Sequence, residues 1–161
     1  MNYGVVRVFR GMPSNKHEFF TYGIAQRQRS HWTRDSRVEV TYRSLKYPPD
    51  WPGTPAREKG IDVLVGITVV SLALAGTHDV VVLASHDSDL EPALEMAART
   101  GRSKIETAGW VGGRIPRVDG RRLWHTALSG ADFVQVKDRR SYLPSGSPAA
   151  QMLAMAPKPA V

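Results

Sequence analysis

Apolar and polar residues alternate in two stretches near the start of the chain, residues 3–10 and 37–43, and this period of two predicts β-strands. Between them, Asn15 followed three residues later by Glu18 is a capping pattern, and the apolar residues after it fall near one face of a helix. The prolines and glycine of residues 48–55 then exclude regular structure. This part of the chain therefore predicts a strand, a helix and a second strand.

The next stretch is the most apolar in the chain and predicts a helix from about residue 55 or 56 to residue 75. Its apolar side chains cover nearly the whole circumference, so we expect the helix to be buried. Asp62 lies four residues from both Glu58 and Gly66, which predicts a narrow polar stripe on this helix. The stretch is interrupted by polar residues and falls short of the ~20 residues that span a bilayer, so no membrane partner is expected.

An unbroken apolar run, Val80–Ala84, predicts a strand that is buried on both faces of a parallel sheet. Ser88 with Glu91 three residues later is a capping box, which predicts a helix from about residue 89 to residue 100, ended by Gly101. In folds built on such sheets, ligands bind beyond the carboxyl ends of the strands.

Asp87 and Asp89 stand at that end of the strand. Two carboxylates held close together repel each other unless a proton or a cation intervenes, and a divalent metal is the usual solution. The alternative is that each aspartate only caps the helix and interacts with its dipole. In the first interpretation the two aspartates bind a metal, and in the second they only stabilise the helix.

The remaining segments continue the alternation of strand and helix. We expect a strand at 103–108, a flexible loop at 109–120, a helix at 123–128 and a short strand at 133–136. With five strands in all, the predicted fold class is α/β, a three-layer α/β/α sandwich with a mainly parallel sheet. Proline, glycine, serine and alanine dominate from residue 139, which predicts a mobile tail.

Composition narrows the classes of function. The chain of 161 residues carries 22 Lys and Arg against 15 Asp and Glu, a net charge of +7, which favours an anionic partner and most often a nucleic acid. The absence of cysteine excludes disulfides, thiolate zinc sites and cysteine nucleophiles. The first residues lack the pattern of a signal peptide, and we expect a cytoplasmic protein.

Two motifs together resemble the NYN domain, a branch of the PIN-like nucleases. They are Lys59-Gly60-Ile61-Asp62 at a helix start and Ser85-His86-Asp87-Ser88-Asp89-Leu90 after a buried strand. The resemblance covers residues 1–138 and leaves 139–161 as a flexible C-terminal tail. It implies a PIN-like, Rossmann-type sandwich and a metal-dependent endoribonuclease that hydrolyses phosphodiester bonds of RNA.

The resemblance also implies roles for individual residues. Asp62, Asp87 and Asp89 match the acidic positions of the family and would hold Mg²⁺ or Mn²⁺, largely through water. His86 departs from the small residue usual at its position and is expected to crowd the mouth of the site. Residues expected to contact the RNA are Asn2 and Ser85 through hydrogen bonds, and Arg57, Lys59, Arg114, Arg117, Arg121 and Arg122 through the phosphates.

The larger difference from the family is at the N-terminus of the chain. Members of the family begin with a strand that ends in an Asp-Gly-x-Asn type motif, and here Met1-Asn2-Tyr3 stands where that motif would finish. The motif's Asp is then absent, and our hypothesis is that Met1 is an internal methionine of a truncated domain. Strands beside the missing one would expose unpaired ladder groups.

Two other functions stay open at this point. One is a catalytically impaired PIN-like module that binds RNA or a protein partner. The other, nucleotide binding or phosphoryl transfer, is weaker because neither a G-x-x-x-x-G-K-[ST] nor a G-x-G-x-x-G loop is present. A homodimer is left open as the assembly.

Overall fold

The structure, a computed structural model, describes residues 4–144 and 147. The chain divides into two compact units: residues 4–58 together with 138–144 and 147, and residues 59–137. Both combine helices with mostly parallel strand pairs, so the protein is of the mixed α/β class. Within the described part of the chain, no helix has the length and apolar character needed to cross a membrane.

The first unit pairs two strands around one helix. Strand β1 (Val6–Met12) runs parallel to β2 (Val38–Ser44), and α1 (Phe19–Trp32) connects them. The Tyr42 hydroxyl on β2 donates to the Ala25 carbonyl on α1 at 3.3 Å, which fastens the helix to one face of the pair. Both predicted strands are present, each displaced by one to three residues.

Helix α1 begins later than the capping pattern predicts. Asn15 does not cap it. Residues 15–17 form a turn on Ser14, whose carbonyl accepts from the His17 and Glu18 amides at 3.2 and 2.7 Å. Because Ser14 closes this turn, regular helix starts only at Phe19, with Glu18 as the N-cap residue.

The second unit is a three-stranded parallel sheet with two helices packed on it. Strands β3 (Val80–Ala84), β4 (Lys104–Trp110) and β7 (His125–Leu128) lie in the order β3-β4-β7. Helices α2 (Ile61–Ala75) and α3 (Glu91–Thr100) share with the sheet one core, whose buried members are Val69, Ala73, Val81, Leu83, Leu90, Leu94, Ala97, Ile105 and Val118.

Helix α2 begins five or six residues later than predicted. Gly60, the residue before it, has φ of +76°, a left-handed conformation that glycine adopts without strain, and this breaks any helix running through from residue 55. Glu58 therefore lies outside the helix, where its carboxylate accepts from the Gly11 amide at 2.6 Å. The predicted stripe of Glu58, Asp62 and Gly66 does not exist.

The expectation that α2 is buried all round is also wrong. One side packs into the core through Ile61, Gly66, Val69 and Ala73. The opposite side exposes apolar residues: Val63 and Ile67 are 64 and 59% exposed, and Leu74 is exposed as well. The sequence shows only that the helix is apolar, and an apolar cylinder is buried only where the fold supplies neighbours on every side.

The expectation that strand β3 is buried on both faces is wrong too. Val81 and Leu83 face the core, whereas Val80 and Val82 are 40 and 52% exposed. In its sheet β3 pairs only with β4, so among the described residues its other edge has no strand partner. An unbroken apolar run is thus compatible with a strand that is partly exposed on one of its faces.

The turn after β3 and helix α3 follow the prediction closely. A 3-10 turn, Ser88–Leu90, leads directly into α3, with Pro92 in its first turn. Gly101 ends the helix with φ of +68°, as expected for a glycine C-cap. Asp87, not Ser88, caps the 3-10 turn, and the residue before α3, Leu90, makes no side-chain cap bond.

Beyond α3, the strand expected at 103–108 is confirmed as β4, but the predictions for the segments after it are wrong. The expected loop at 109–120 contains the end of β4 and leads into a hairpin, β5 (Arg117–Val118) with β6 (Arg121–Arg122). The expected helix at 123–128 is strand β7, parallel to β4, and the expected strand at 133–136 lies in helix α4 (Gly130–Val136). The capping box of Ser129 and Asp132 starts α4 and outweighs the strand preference of its β-branched residues.

The first residues of the predicted tail contact the first unit. Arg27 on α1 donates from Nε to the Tyr142 carbonyl at 2.6 Å, and Arg140 contacts the His31 ring. Residues 145, 146 and 148–161 lie outside the described part of the chain, so most of the tail prediction falls outside it too.

Candidate functional site

An open groove of about 550 Å³ lies between α2 and the start of α3. Its floor is apolar, and its polar groups are few: Asp62, Asp89 and Ser71. The remaining lining residues are Val63, Gly66, Ile67, Val70, Leu90, Pro92 and Ala93. The groove thus brings together two of the three predicted acidic residues, which are 27 positions apart in the sequence.

Both carboxylates are available to a ligand. Asp62 is in the first turn of α2 and Asp89 is in the 3-10 turn before α3, and both are exposed. Among the described residues neither side chain has a hydrogen-bond or ion-pair partner. An acidic residue in the first turn is stabilised by the helix dipole, which explains Asp62 locally without giving it a partner.

Asp87 has a different setting. It is half-buried, and its Oδ1 accepts from the Asp89 amide at 2.9 Å, while its own amide donates to Ser85 Oγ at 3.1 Å. These two bonds fix the turn that carries Asp89. Asp87 is not one of the residues lining the groove. The structure therefore gives Asp87 and Ser85 a positioning role, and their predicted contacts with metal and RNA stay predictions.

The His86 side chain joins the turn to the end of β4. The Trp110 amide donates to Nε2 at 2.9 Å, so the proton must be on Nδ1, which donates to the Arg114 carbonyl at 2.8 Å. The ring lies against Gly109 and Gly113, where a methyl group on either glycine would collide with it. His86 does not line the groove. A histidine therefore fits where the family usually has a small residue, because Gly109 and Gly113 leave space for its ring.

The described residues of the groove do not form a closed cage for a metal ion. Within residues 4–144 and 147, no three His, Cys, Asp or Glu side chains are arranged to hold a metal ion. Mg²⁺, however, is usually bound by one or two carboxylates, several waters and the phosphates of the substrate. Asp62 and Asp89 are the two carboxylates in the lining of the groove.

The basic residues expected to contact RNA are dispersed. Arg57 belongs to the first unit and Lys59 to the second, and both are exposed. Arg114 forms an ion pair with Glu91 at 3.4 Å, and the Arg117 amide donates to the same carboxylate at 3.1 Å. Arg121 and Arg122 are exposed on the short strand β6. Asn2 lies outside the described residues.

Trp110 is 47% exposed and packs edge-to-face against Phe133 of α4, with ring centroids 6.0 Å apart. This contact anchors α4 beside the end of β4. One side of the indole is engaged by this packing.

Sequence reasoning missed the residue that makes the groove possible. Gly66 lies in the middle of α2, and a Cβ there would be 3.2 Å from the Cβ of Ala93 on α3. The two helices therefore approach closely at this point, with the groove formed along their contact. The signal is present in the sequence, because an isolated glycine inside an apolar helix usually marks close packing.

Comparisons with known proteins give no relative. No protein-family model matches the chain. No curated protein and no solved structure matches it either. The interpretation of the site consequently depends on its residues and geometry.

Proposed function

We propose that the protein is a metal-dependent endoribonuclease of the NYN, PIN-like type, acting in the cytoplasm on RNA with Mg²⁺ or Mn²⁺. The proposal includes the finer fold assignment, a three-layer α/β/α sandwich. The observation that carries it is the groove between α2 and α3, where Asp62 and Asp89 stand exposed and, among the described residues, without partners.

The roles of the residues follow from their settings. Asp62 and Asp89 would hold the ion between them, because hard oxygen ligands are what Mg²⁺ and Mn²⁺ prefer. Asp87 holds the Asp89 amide and so fixes the position of that ligand. When bound, the ion would neutralise phosphate charge and orient an attacking water.

The test compares RNA cleavage by the 161-residue chain with that of Asp62→Asn and Asp89→Asn, with either metal supplied. Losing one ligand removes several kcal/mol of charge stabilisation, so each variant is expected to cleave about 100-fold more slowly. Both should also lose metal affinity measured by calorimetry. Asp79→Asn is the matched control. Asp79 is also exposed, but it lies at the amino end of β3, whereas Asp89 follows the carboxyl end.

Cleavage that persists in both Asn variants would contradict the assignment of the site. If the wild-type chain cleaves no RNA with either ion, the ribonuclease proposal is wrong.

A second function is favoured by one specific observation, the lack of a three-ligand group among the described residues. It is a PIN-like module that binds RNA or a protein without turnover. Under this alternative the wild-type chain binds RNA but releases it uncut in the presence of Mg²⁺ or Mn²⁺.

A further inference from the structure

The net positive charge of the protein comes from one of its two units. Residues 4–58 carry ten Lys and Arg against five Asp and Glu, whereas residues 59–137 carry nine of each. The unit that contains Asp62 and Asp89 is therefore neutral overall. The excess that favours an anionic partner comes from residues 4–58 and from the segment after residue 137.

Most of the basic side chains in residues 4–58 are not neutralised by a neighbour. The only ion pairs among these described residues are Arg7 with Glu39 at 2.8 Å and Arg37 with Asp35 at 2.6 Å. The other three acidic residues bond to uncharged groups. Eight basic residues thus have no carboxylate partner in the described part of the chain: Arg10, Lys16, Arg27, Arg29, Arg34, Arg43, Lys46 and Arg57.

Two of these residues face each other directly. Lys46 and Arg57 form an antiparallel bridge in which each backbone amide donates to the other carbonyl, both at 2.9 Å. Side chains of residues paired in this way lie on the same side, and like charges directly opposite each other repel. Both side chains are exposed. A phosphate between them would turn this repulsion into attraction.

The segment between the two residues is held in place, so the pair is organised before any ligand arrives. Tyr47 stacks on the His17 ring with centroids 4.2 Å apart, and its hydroxyl accepts from the Ser14 amide at 2.8 Å and bonds to the Glu18 carboxylate at 3.1 Å. Trp51 packs edge-on against both rings. Burial raises the pKa of Tyr47, and the Glu18 carboxylate raises it further, so the phenol stays protonated as the donor to Glu18.

We propose that residues 4–58 bind the phosphate backbone of RNA, with Lys46 and Arg57 as the central contact. The inference rests on the proposed function, because it takes RNA as the substrate. The basic unit then binds the substrate, and the neutral unit, residues 59–137, carries the carboxylates of the proposed metal site. The hairpin residues Arg121 and Arg122 then contribute little to affinity.

The test measures affinity for a short fluorescein-labelled single-stranded RNA by anisotropy, over a range of salt concentrations and without divalent metal. For single-stranded RNA, removing one phosphate contact reduces the magnitude of the slope of log K against log salt concentration by about 0.7. The double variant Lys46→Gln, Arg57→Gln should therefore show a slope smaller by about 1.4 and an affinity about 25-fold lower at about 0.1 M salt. Charge reversal at the same positions should weaken binding further.

The matched control is Arg121→Gln with Arg122→Gln, which removes two exposed, adjacent charges from the neutral unit. It should change affinity by less than about twofold. Thermal unfolding of each variant checks that the fold is intact; neither replacement removes a side-chain contact between described residues.

The outcomes separate the two proposals. Equal losses in both double variants, or a larger loss in the hairpin variant, would overturn the inference while leaving the ribonuclease proposal standing. Binding that depends on Lys46 and Arg57 without any cleavage would support the inference and contradict the ribonuclease. A wild-type chain that does not bind RNA overturns both.

Discussion

Asp87 provides the sharpest test of how the acidic turn works, because its two interpretations predict opposite results for one substitution. The sequence predicts a third metal ligand, whereas the structure shows a cap whose Oδ1 accepts from the Asp89 amide at 2.9 Å. Asparagine at this position keeps an oxygen acceptor for that bond but removes the charge. Alanine removes both.

The magnitudes follow from the cap. Asn and Asp are equivalent N-cap residues, so Asp87→Asn should leave the free energy of unfolding nearly unchanged. Asp87→Ala should cost about 1 kcal/mol, which for a chain of this length lowers Tm by about 2–4 °C. Because capping is the role we assign, RNA cleavage by Asp87→Asn should stay within about threefold of the wild type, about 0.7 kcal/mol of barrier.

Thermal denaturation and cleavage rates on the same protein preparations provide the assay. A Tm that is unchanged in Asp87→Asn, together with a loss of cleavage of about 100-fold, would refute the capping argument and establish the charge of Asp87 as part of the metal site. A fall in Tm of equal size in both variants would show that the hydrogen bond to Asp89 contributes nothing.

Two further predictions concern contacts outside the groove. Gly113→Ala places a methyl group against the His86 ring and should lower the free energy of unfolding by about 1–3 kcal/mol in chemical denaturation. Gly130→Ala, where the same methyl group meets no other atom within 4 Å, should not lower it. Equal losses in the two variants would contradict the packing argument. Hydrogen bonds from Arg37 lower the pKa of Asp35 to about 2, so the stabilisation is complete above about pH 4 and is lost as the pH falls through about 2. Carboxyl NMR should show this titration, and Arg37→Gln should return the midpoint toward about 4, whereas a wild-type midpoint already near 4 would contradict the assignment.

The sequence predicts best where local chemistry decides the structure. Helix α3 is an example, because its Pro92 start and Gly101 end both have a local physical cause. Strand β2 is predicted nearly to its ends by strict alternation. These elements depend little on what packs against them.

It predicts worst where neighbours in space decide. The apolar segments that form β7 and α4 are too short for their periodicity to distinguish a strand from a helix. The prediction is wrong for both. Val80 and Val82 are as apolar as Val81, yet only Val81 meets a covering helix. No local pattern tells these three valines apart.

The candidate site shows the same division. The acidic residues are recognisable from two short motifs, and Asp62 and Asp89 do line one groove. The capping bond of Asp87 depends on the conformation of the turn, which the motif does not reveal. The neutrality of residues 59–137, and hence the location of the excess positive charge outside them, becomes visible only once the units are defined.

The outer edge of β3 has a consequence for handling the protein. Residues Val80–Ala84 include no lysine, proline or bulge, which are the devices that natural sheets use to stop unwanted growth. Any extended peptide can continue this sheet through main-chain hydrogen bonds alone, whatever its side chains. We therefore expect β-linked association in concentrated solutions. A lysine in place of Val82, which is 52% exposed, should reduce it.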